Sequence, residues 1–252
     1  MAHQMFDDKL LEEFIAKFFG YGNFDGDYWF VGLEQGGGNS FTEIEKRLNV
    51  WENHGKPVLE DAADYHRAIG LGHFFDPKKP KRQPTWSGLI RMLFGFQGKK
   101  HTSIKASDVN LYQRDSFLQR NSQSCSIELL PLPSPSMNDW LYSNHSDLPY
   151  LRNRALYRQR FAKKRADKMR EYITAYGPKL VIFYGLHPEY VEWWKYIADK
   201  DFTTQQVTPK FSAEFARNDH TVFAISRHPT AFGTTNEYLH ELGMAIAKFA
   251  NT

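Results

Sequence analysis

The sequence predicts an α/β fold, a three-layer sandwich with a central four-stranded parallel sheet flanked by helices. Short apolar runs at 27–33, 125–130, 178–185 and 220–226 have the length and residue types of buried strands. Helical patterns separate them, the arrangement that calls for a parallel sheet covered on both faces. With 252 residues, 41% of them hydrophobic, the chain can fill the core such a sheet needs.

In chain order, "DDKLLEEFIAKFF" (7–19) spaces its apolar residues helically and puts acids in the first turn, which predicts a first helix. "DYWFVGL" (27–33) is a strand ending at glycine, and 42–70 is helical in parts. The segment 74–84, "FFDPKKPKRQP", has three prolines and the cations Lys78, Lys79, Lys81 and Arg82, and reads as a loop inside the fold. "TWSGLIRMLFGF" (85–96) is a further helix. "CSIELLPLPSPS" (125–136) is a strand that stops at Pro131, because proline cannot donate to a ladder. A long helical pattern covers 150–176, a strand 178–185, a helix 187–200, a strand 220–226 and a last helix 237–250. There is no internal repeat, and residues 1–252 form one domain.

The totals exclude several classes. One cysteine, Cys125, rules out internal disulfides, four-cysteine zinc sites and cysteine-ligated iron–sulfur clusters. No apolar run is long enough to span a membrane and the N-terminus lacks a signal-peptide pattern, so a soluble, cytoplasmic and monomeric protein is expected. Net charge is only +3, so its distribution must decide the partner. Residues 150–170 hold nine Lys or Arg, Arg158, Lys163, Lys164 and Arg165 among them, against the single acid Asp167, with Tyr150, Tyr157 and Phe161 interleaved. With the 78–82 cations they point to a phosphate-binding surface, and DNA is the expected partner.

Ligands of open α/β sheets bind beyond the carboxyl ends of the strands, and three of those ends are unusual here: Gly32-Leu33-Glu34-Gln35-Gly36 with two further glycines, Glu128 through Pro131, Pro133 and Ser134, and His228-Pro229-Thr230-Ala231-Phe232. The first matches neither a P-loop nor a dinucleotide fingerprint. A glycine run at a strand exit lets backbone approach a ligand closely. His187 also precedes a proline, so the His-Pro pair of His228 is not unique in the chain.

Taken together, in order and spacing, the three stretches resemble the motifs of the uracil-DNA glycosylase superfamily, closest to its single-strand-selective and mismatch-specific branches. The likeness spans most of residues 27–247. It implies a monofunctional enzyme without cofactor or metal that flips a base out of DNA and hydrolyses its N-glycosidic bond, leaving an abasic site. By that resemblance Glu34 positions or activates water and His228 stabilises the negative charge of the departing base. Phe232, next to Thr230, enters the stack the base has left. Gly32, Gln35, Gly36 and Glu128 surround the base, with Phe41 or Trp51 as a stacking ring. Pro131, Pro133, Ser134 and the cations of 150–170 meet the DNA.

The chain departs from the pattern at Gln35, at Thr230-Ala231 and above all at Glu128, where the family reads the base with asparagine. An ionised carboxylate only accepts hydrogen bonds, which suits an exocyclic amino group better than uracil O4. That favours a modified cytosine, such as the glucosylated hydroxymethylcytosine of some viral DNA, and with it an antiviral role. The rival readings are a non-cutting reader of modified bases, a uracil-DNA glycosylase of base-excision repair, and a nucleotide-handling α/β enzyme using the glycine loop for phosphate.

Overall fold

A computed structural model describes residues 4–136 and 138–252. The chain is α/β, with eight α-helices and one eight-stranded sheet among the described residues. The helices are α1 (Asp8–Lys17), α2 (Phe41–Asn53), α3 (Ala62–Ala68), α4 (Pro84–Phe96), α5 (Ala106–Asp115), α6 (Arg154–Tyr176), α7 (Pro188–Ala198) and α8 (Asn236–Ala250). The strands are β1 (Gly20–Gly22), β2 (Tyr28–Glu34), β3 (Leu59–Glu60), β4 (Ser124–Leu130), β5 (Leu180–Tyr184), β6 (Thr203–Thr208), β7 (Phe211–Arg217) and β8 (Val222–Ser226).

The order across the sheet is β3-β1-β4-β2-β5-β8-β7-β6. The expected sheet of four parallel strands is therefore not what forms: the sheet is twice as wide and mixed. Strands β4, β2, β5 and β8 pair parallel to one another. β1 joins β4 antiparallel, and the β6–β7 hairpin extends the other edge antiparallel to β8. The extra strands carry little sequence signal, since β1 is Gly-Tyr-Gly and β6 is the polar, largely exposed TTQQVT. The central strands are apolar because both faces are covered: Trp29, Phe30, Val31, Ile127, Leu129, all of Leu180–Phe183 and Ala224–Ile225 are solvent-excluded. No helix among the described residues is long and apolar enough to cross a membrane.

Helix starts follow ordinary capping. Asp7, Ser40, Asp61, Gln83, Asn153 and Thr235 each accept a backbone N–H of the first turn with their side chains. Helix α6 ends on Gly177 in the left-handed conformation. Helices α4 and α8 cross at close range, because Gly95 lies against the His240 carbonyl and Gly243 against the Met92 carbonyl, where a Cβ has no room. Two turns before Gly95 on α4, Gly88 packs on Pro229, which ties this helix to the loop after β8.

Arg165 is a correction. Its place in the cationic run suggested DNA contact, yet only 3% of it is exposed. Its guanidinium donates to the carbonyls of Leu129 (2.6 Å), Ile15 (2.7 Å), Phe18 (2.8 Å) and Glu128 (3.0 Å) and lies over the Phe19 ring at 3.9 Å. Burial pushes its pKa down to about 10, still well above neutrality. Arg165 thus joins α6 to the exit of β4 and to the end of α1, satisfying carbonyls that the strand and helix leave open. Arg165→Ala should strip four buried carbonyls of their donor and cost about 3–5 kcal/mol in a urea unfolding experiment. A loss within about 0.5 kcal/mol, the range of a surface substitution, would show that the guanidinium is not a structural tie.

Candidate functional site

The exits of β2, β4 and β8 open into one cleft of about 830 Å³. Glu34, Gln35 and Gly36 line it from the first loop, Glu128 and Ser134 from the second, His228 and Thr230 from the third. The structure therefore brings the three sequence stretches together. Behind them stand aromatic side chains that the sequence reading did not assign to the site: Tyr21, His66, Phe74, Trp86, Tyr184 and Tyr190.

The glycine loop is held by α2. The Glu43 carboxylate accepts from Gly38 N (2.9 Å), Asn39 N (3.0 Å) and Asn39 Nδ2 (3.0 Å), and pairs with Arg47 at 2.9 Å. Burial alone would raise its pKa, but these donors outweigh burial and hold it down at about 2. Gly37 and Gly38 have φ of 95° and 75°, and Cβ atoms there would strike Arg47 with Glu43 and the Pro133 carbonyl respectively. The Gly38 N–H is thus used within the fold, while Gly36, with open space around it, lines the cleft.

Glu34 is placed differently from the expected water activator. It pairs with Arg154 and, at 3.2 Å, with Arg158. Arg154 also donates to Ser134 Oγ (2.7 Å), Ser136 O (2.8 Å) and Asp139 O (2.8 Å), and sits 5.0 Å from the Trp140 ring centre. A carboxylate with both oxygens engaged by guanidiniums serves here as a counter-ion.

Glu128 also differs from expectation. Its Oε1 accepts the Tyr184 hydroxyl at 2.8 Å, while Oε2 is shielded and has no hydrogen-bond partner. Both groups lie across Gly32, where a Cβ would collide with Glu128 Oε2 and the Tyr184 ring, so glycine is required there. Burial is the main cause, and the Glu34 charge a further one, of a pKa pushed up to about 8 against the partial opposition of the Tyr184 hydrogen bond. At pH 7 the carboxyl is mostly protonated, so the premise of an accept-only carboxylate does not hold. With Tyr184 donating to Oε1, the proton belongs on Oε2, and the group both donates and accepts.

His228 sits at the start of the third loop with its Nδ1 accepting from Thr230 N (3.2 Å) and facing Thr230 Oγ1 (2.9 Å). Burial lowers its pKa below the ordinary imidazole value. The ring is neutral with its hydrogen on Nε2, a donor fixed by backbone. Tyr184 stands edge-on to it, 5.4 Å between ring centres, and so touches both Glu128 and His228. Gln35 is 6% exposed, and neither polar atom of its amide has a partner. His66 donates from Nδ1 to Ala62 O at 2.7 Å, and burial takes its pKa down to about 3.

Phe232 is 98% exposed, at the tip of a turn whose backbone is held by Arg227 Nη2 donating to Phe232 O (2.8 Å) and Ala231 N donating to His228 O (2.9 Å). The remaining expected contacts fall elsewhere. Phe41 is buried, stacked on Phe6 at 4.5 Å, and Trp51 is in the core against Phe14; neither lines the cleft. Pro131 and Pro133 are buried and do not present a DNA surface, whereas Ser134 remains at the cleft wall. Arg158 turns inward to Glu34, Lys163 pairs with Asp167 at 2.9 Å, and Lys164 is exposed. Among the described residues no group of three or more His, Cys, Asp or Glu is placed to hold a metal ion. A scan against protein-family models finds no matching family, and a search of curated proteins finds no matching sequence.

The buried carboxyl has a measurable consequence. Between the usual value of 4.5 and about 8, folded Glu128 keeps a proton that the unfolded chain has released, so its contribution to stability falls as pH rises through this window. Glu128→Gln removes that fall. The difference in thermal midpoint, wild type minus variant, should drop by a few degrees between pH 5 and pH 8. A difference that stays flat with pH would show that Glu128 is ionised like an exposed carboxylate.

Proposed function

We propose that the protein is a DNA glycosylase of the uracil-DNA glycosylase type, which receives a flipped base in this cleft and hydrolyses its N-glycosidic bond. The observation that carries the reading is the meeting of Glu128, Gln35 and the Nε2–H of His228 in one cleft at the carboxyl ends of parallel strands, with a fully exposed phenylalanine on the loop that holds the histidine. A bare apolar ring on a braced tip suits insertion into a base stack, where it offsets part of the few kcal/mol that extrusion costs.

In the reaction the C1′–N bond breaks with its electron pair moving to the base, while positive charge grows on the sugar. His228 Nε2–H donates a hydrogen bond to the base as it becomes anionic, and water adds its hydroxyl to C1′ while its remaining proton ends on the released base anion. Stabilising the leaving group is the dominant demand of such a dissociative step. Glu34 then acts as a positioning residue through Arg154 and Arg158.

A neutral carboxyl can pair with a cytosine edge by donating to N3 and accepting from N4–H, or with a uracil edge by donating to O4 and accepting from N3–H, and Glu128 does either only when its shielded Oε2 is turned to the base. The carboxyl alone therefore does not choose between them. The breadth of the cleft favours the bulkier base, and a cytosine carrying a large 5-substituent, as in some viral DNA, remains the favoured substrate. The engagement of both Glu34 oxygens supports a second reading, a reader that holds the flipped base without cutting it.

End-labelled DNAs bearing uracil, a G·T mismatch, cytosine, hydroxymethylcytosine or its glucosylated form, incubated with the protein and treated with alkali, test this directly. Scission at one modified base is expected, falling about 10²–10³-fold in His228→Ala with binding retained. Intact strands throughout, despite tight binding of one of these DNAs, would establish the reader instead.

A further inference from the structure

The cationic run of α6, the obvious DNA surface in the sequence, is divided between side chains turned into the fold and side chains paired with acids at the surface. Arg154 and Arg158 serve Glu34, Arg165 is buried, and Lys163, Lys168 and Arg170 pair with Asp167, Glu171 and Asp199. The opposite holds beside α4. Lys78, Lys79, Lys81 and Arg82 are all exposed, and none pairs with an acid among the described residues. Under them Arg91 is 6% exposed, yet its Nε has no hydrogen-bond partner and no described acid pairs with it. Burial, and after it the like charge of Arg82, lowers its pKa. A mostly covered guanidinium with no described acid beside it and the like charge of Arg82 nearby is a costly arrangement that an incoming anion would relieve.

The loop is held in shape rather than loosely tethered. Buried Gln113 donates to Phe74 O (2.9 Å) and Lys81 O (2.9 Å) and accepts from Gln83 N (3.0 Å). The nearby acids are already engaged: Asp76 accepts from the backbone of Lys78 (2.9 Å) and Lys79 (2.7 Å), and Asp115 pairs with Arg114. The loop also borders the cleft, since Phe74, Gln83 and Thr85 line it, and Gly88 of the helix that follows rests on Pro229, three residues before Phe232.

We propose that the 78–82 loop, with Arg91 beneath it, is the track for the phosphodiester backbone of the strand whose base enters the cleft. This rests on the glycosylase or reader assignment above only in requiring DNA as the partner. It places the strand along α4 rather than α6, past the helix whose Gly88 rests on the loop that carries Phe232.

The test is the salt dependence of binding to an oligonucleotide carrying the favoured base, followed by fluorescence anisotropy. The variant Lys78→Gln/Lys79→Gln/Lys81→Gln/Arg82→Gln changes only exposed side chains. It should bind at least tenfold more weakly and flatten the slope of log K against log salt by about 3, at roughly 0.7–0.9 for each of the four lost phosphate contacts. Arg160→Gln/Lys163→Gln/Lys164→Gln on α6 should leave the slope near wild type. Arg91→Gln adds a second readout: weaker binding with no loss of thermal stability in the absence of DNA. A loop variant that keeps the wild-type slope, or an α6 variant that loses more of it, would overturn the track while leaving DNA binding intact. A wild-type protein with no salt-dependent DNA binding at all would instead remove the DNA reading itself.

Discussion

The site depends on one ion cluster, the meeting of Glu34 with Arg154 and Arg158 at the exit of β2. Arg154 alone bridges three parts of the chain, because the same guanidinium that pairs with Glu34 also bonds Ser134, the Ser136 carbonyl and the Asp139 carbonyl. The end of β2, the loop after β4 and the first turn of α6 are thereby fixed to one another. Ser134 N adds a bond to Gln35 O at 3.1 Å, so the two loops also join through backbone. With Glu43 clamping the glycine turn from the other side, the floor of the cleft has little freedom to rearrange.

What this frame presents to a ligand is polar but, at neutral pH, mostly uncharged. Glu128 keeps its proton, His228 and His66 are neutral, and Gln35 carries an unpartnered amide. The charged groups at the wall, Glu34 and the Glu43–Arg47 pair, are balanced by partners. Such a lining suits a neutral heterocycle with donors and acceptors on its edge, and in a shielded site each of those hydrogen bonds counts for more than it would in water. Charge for a polyanion lies outside the cleft, on the surface that borders it.

Much of this was legible in the chain. The central strands announced themselves as apolar runs, and their exits as glycine, proline and histidine clusters, because a strand buried on both faces has no polar alternation to confuse the signal. The edge strands were not legible: β6 is polar and exposed, and β1 is three residues between glycines, so pairing rather than sequence makes them strands. The misassigned aromatics had a readable pattern. Phe41, Ile44, Leu48 and Trp51 repeat at three- and four-residue spacing, which is the buried stripe of α2. The α6 cations had one too, since Arg154, Arg158 and Arg165 share a face with Tyr157, Ala162 and Met169. A count of charges hides that division, whereas helical spacing reveals it. Tyr184 and Trp86 gave no local signal, because their importance arises only when the end of β5 and the start of α4 are brought to the same cleft as the end of β4.

The central claim is that this cleft receives a base turned out of DNA, and extrusion can be observed without chemistry. An oligonucleotide with 2-aminopurine next to the favoured base should brighten several-fold when the wild-type protein saturates it, as the neighbour leaves the stack. Phe232→Ala, which removes only an exposed ring, should bind with much of that rise lost. Saturated binding with no change in 2-aminopurine emission would contradict the account, since the base would then remain stacked and the cleft would have another occupant.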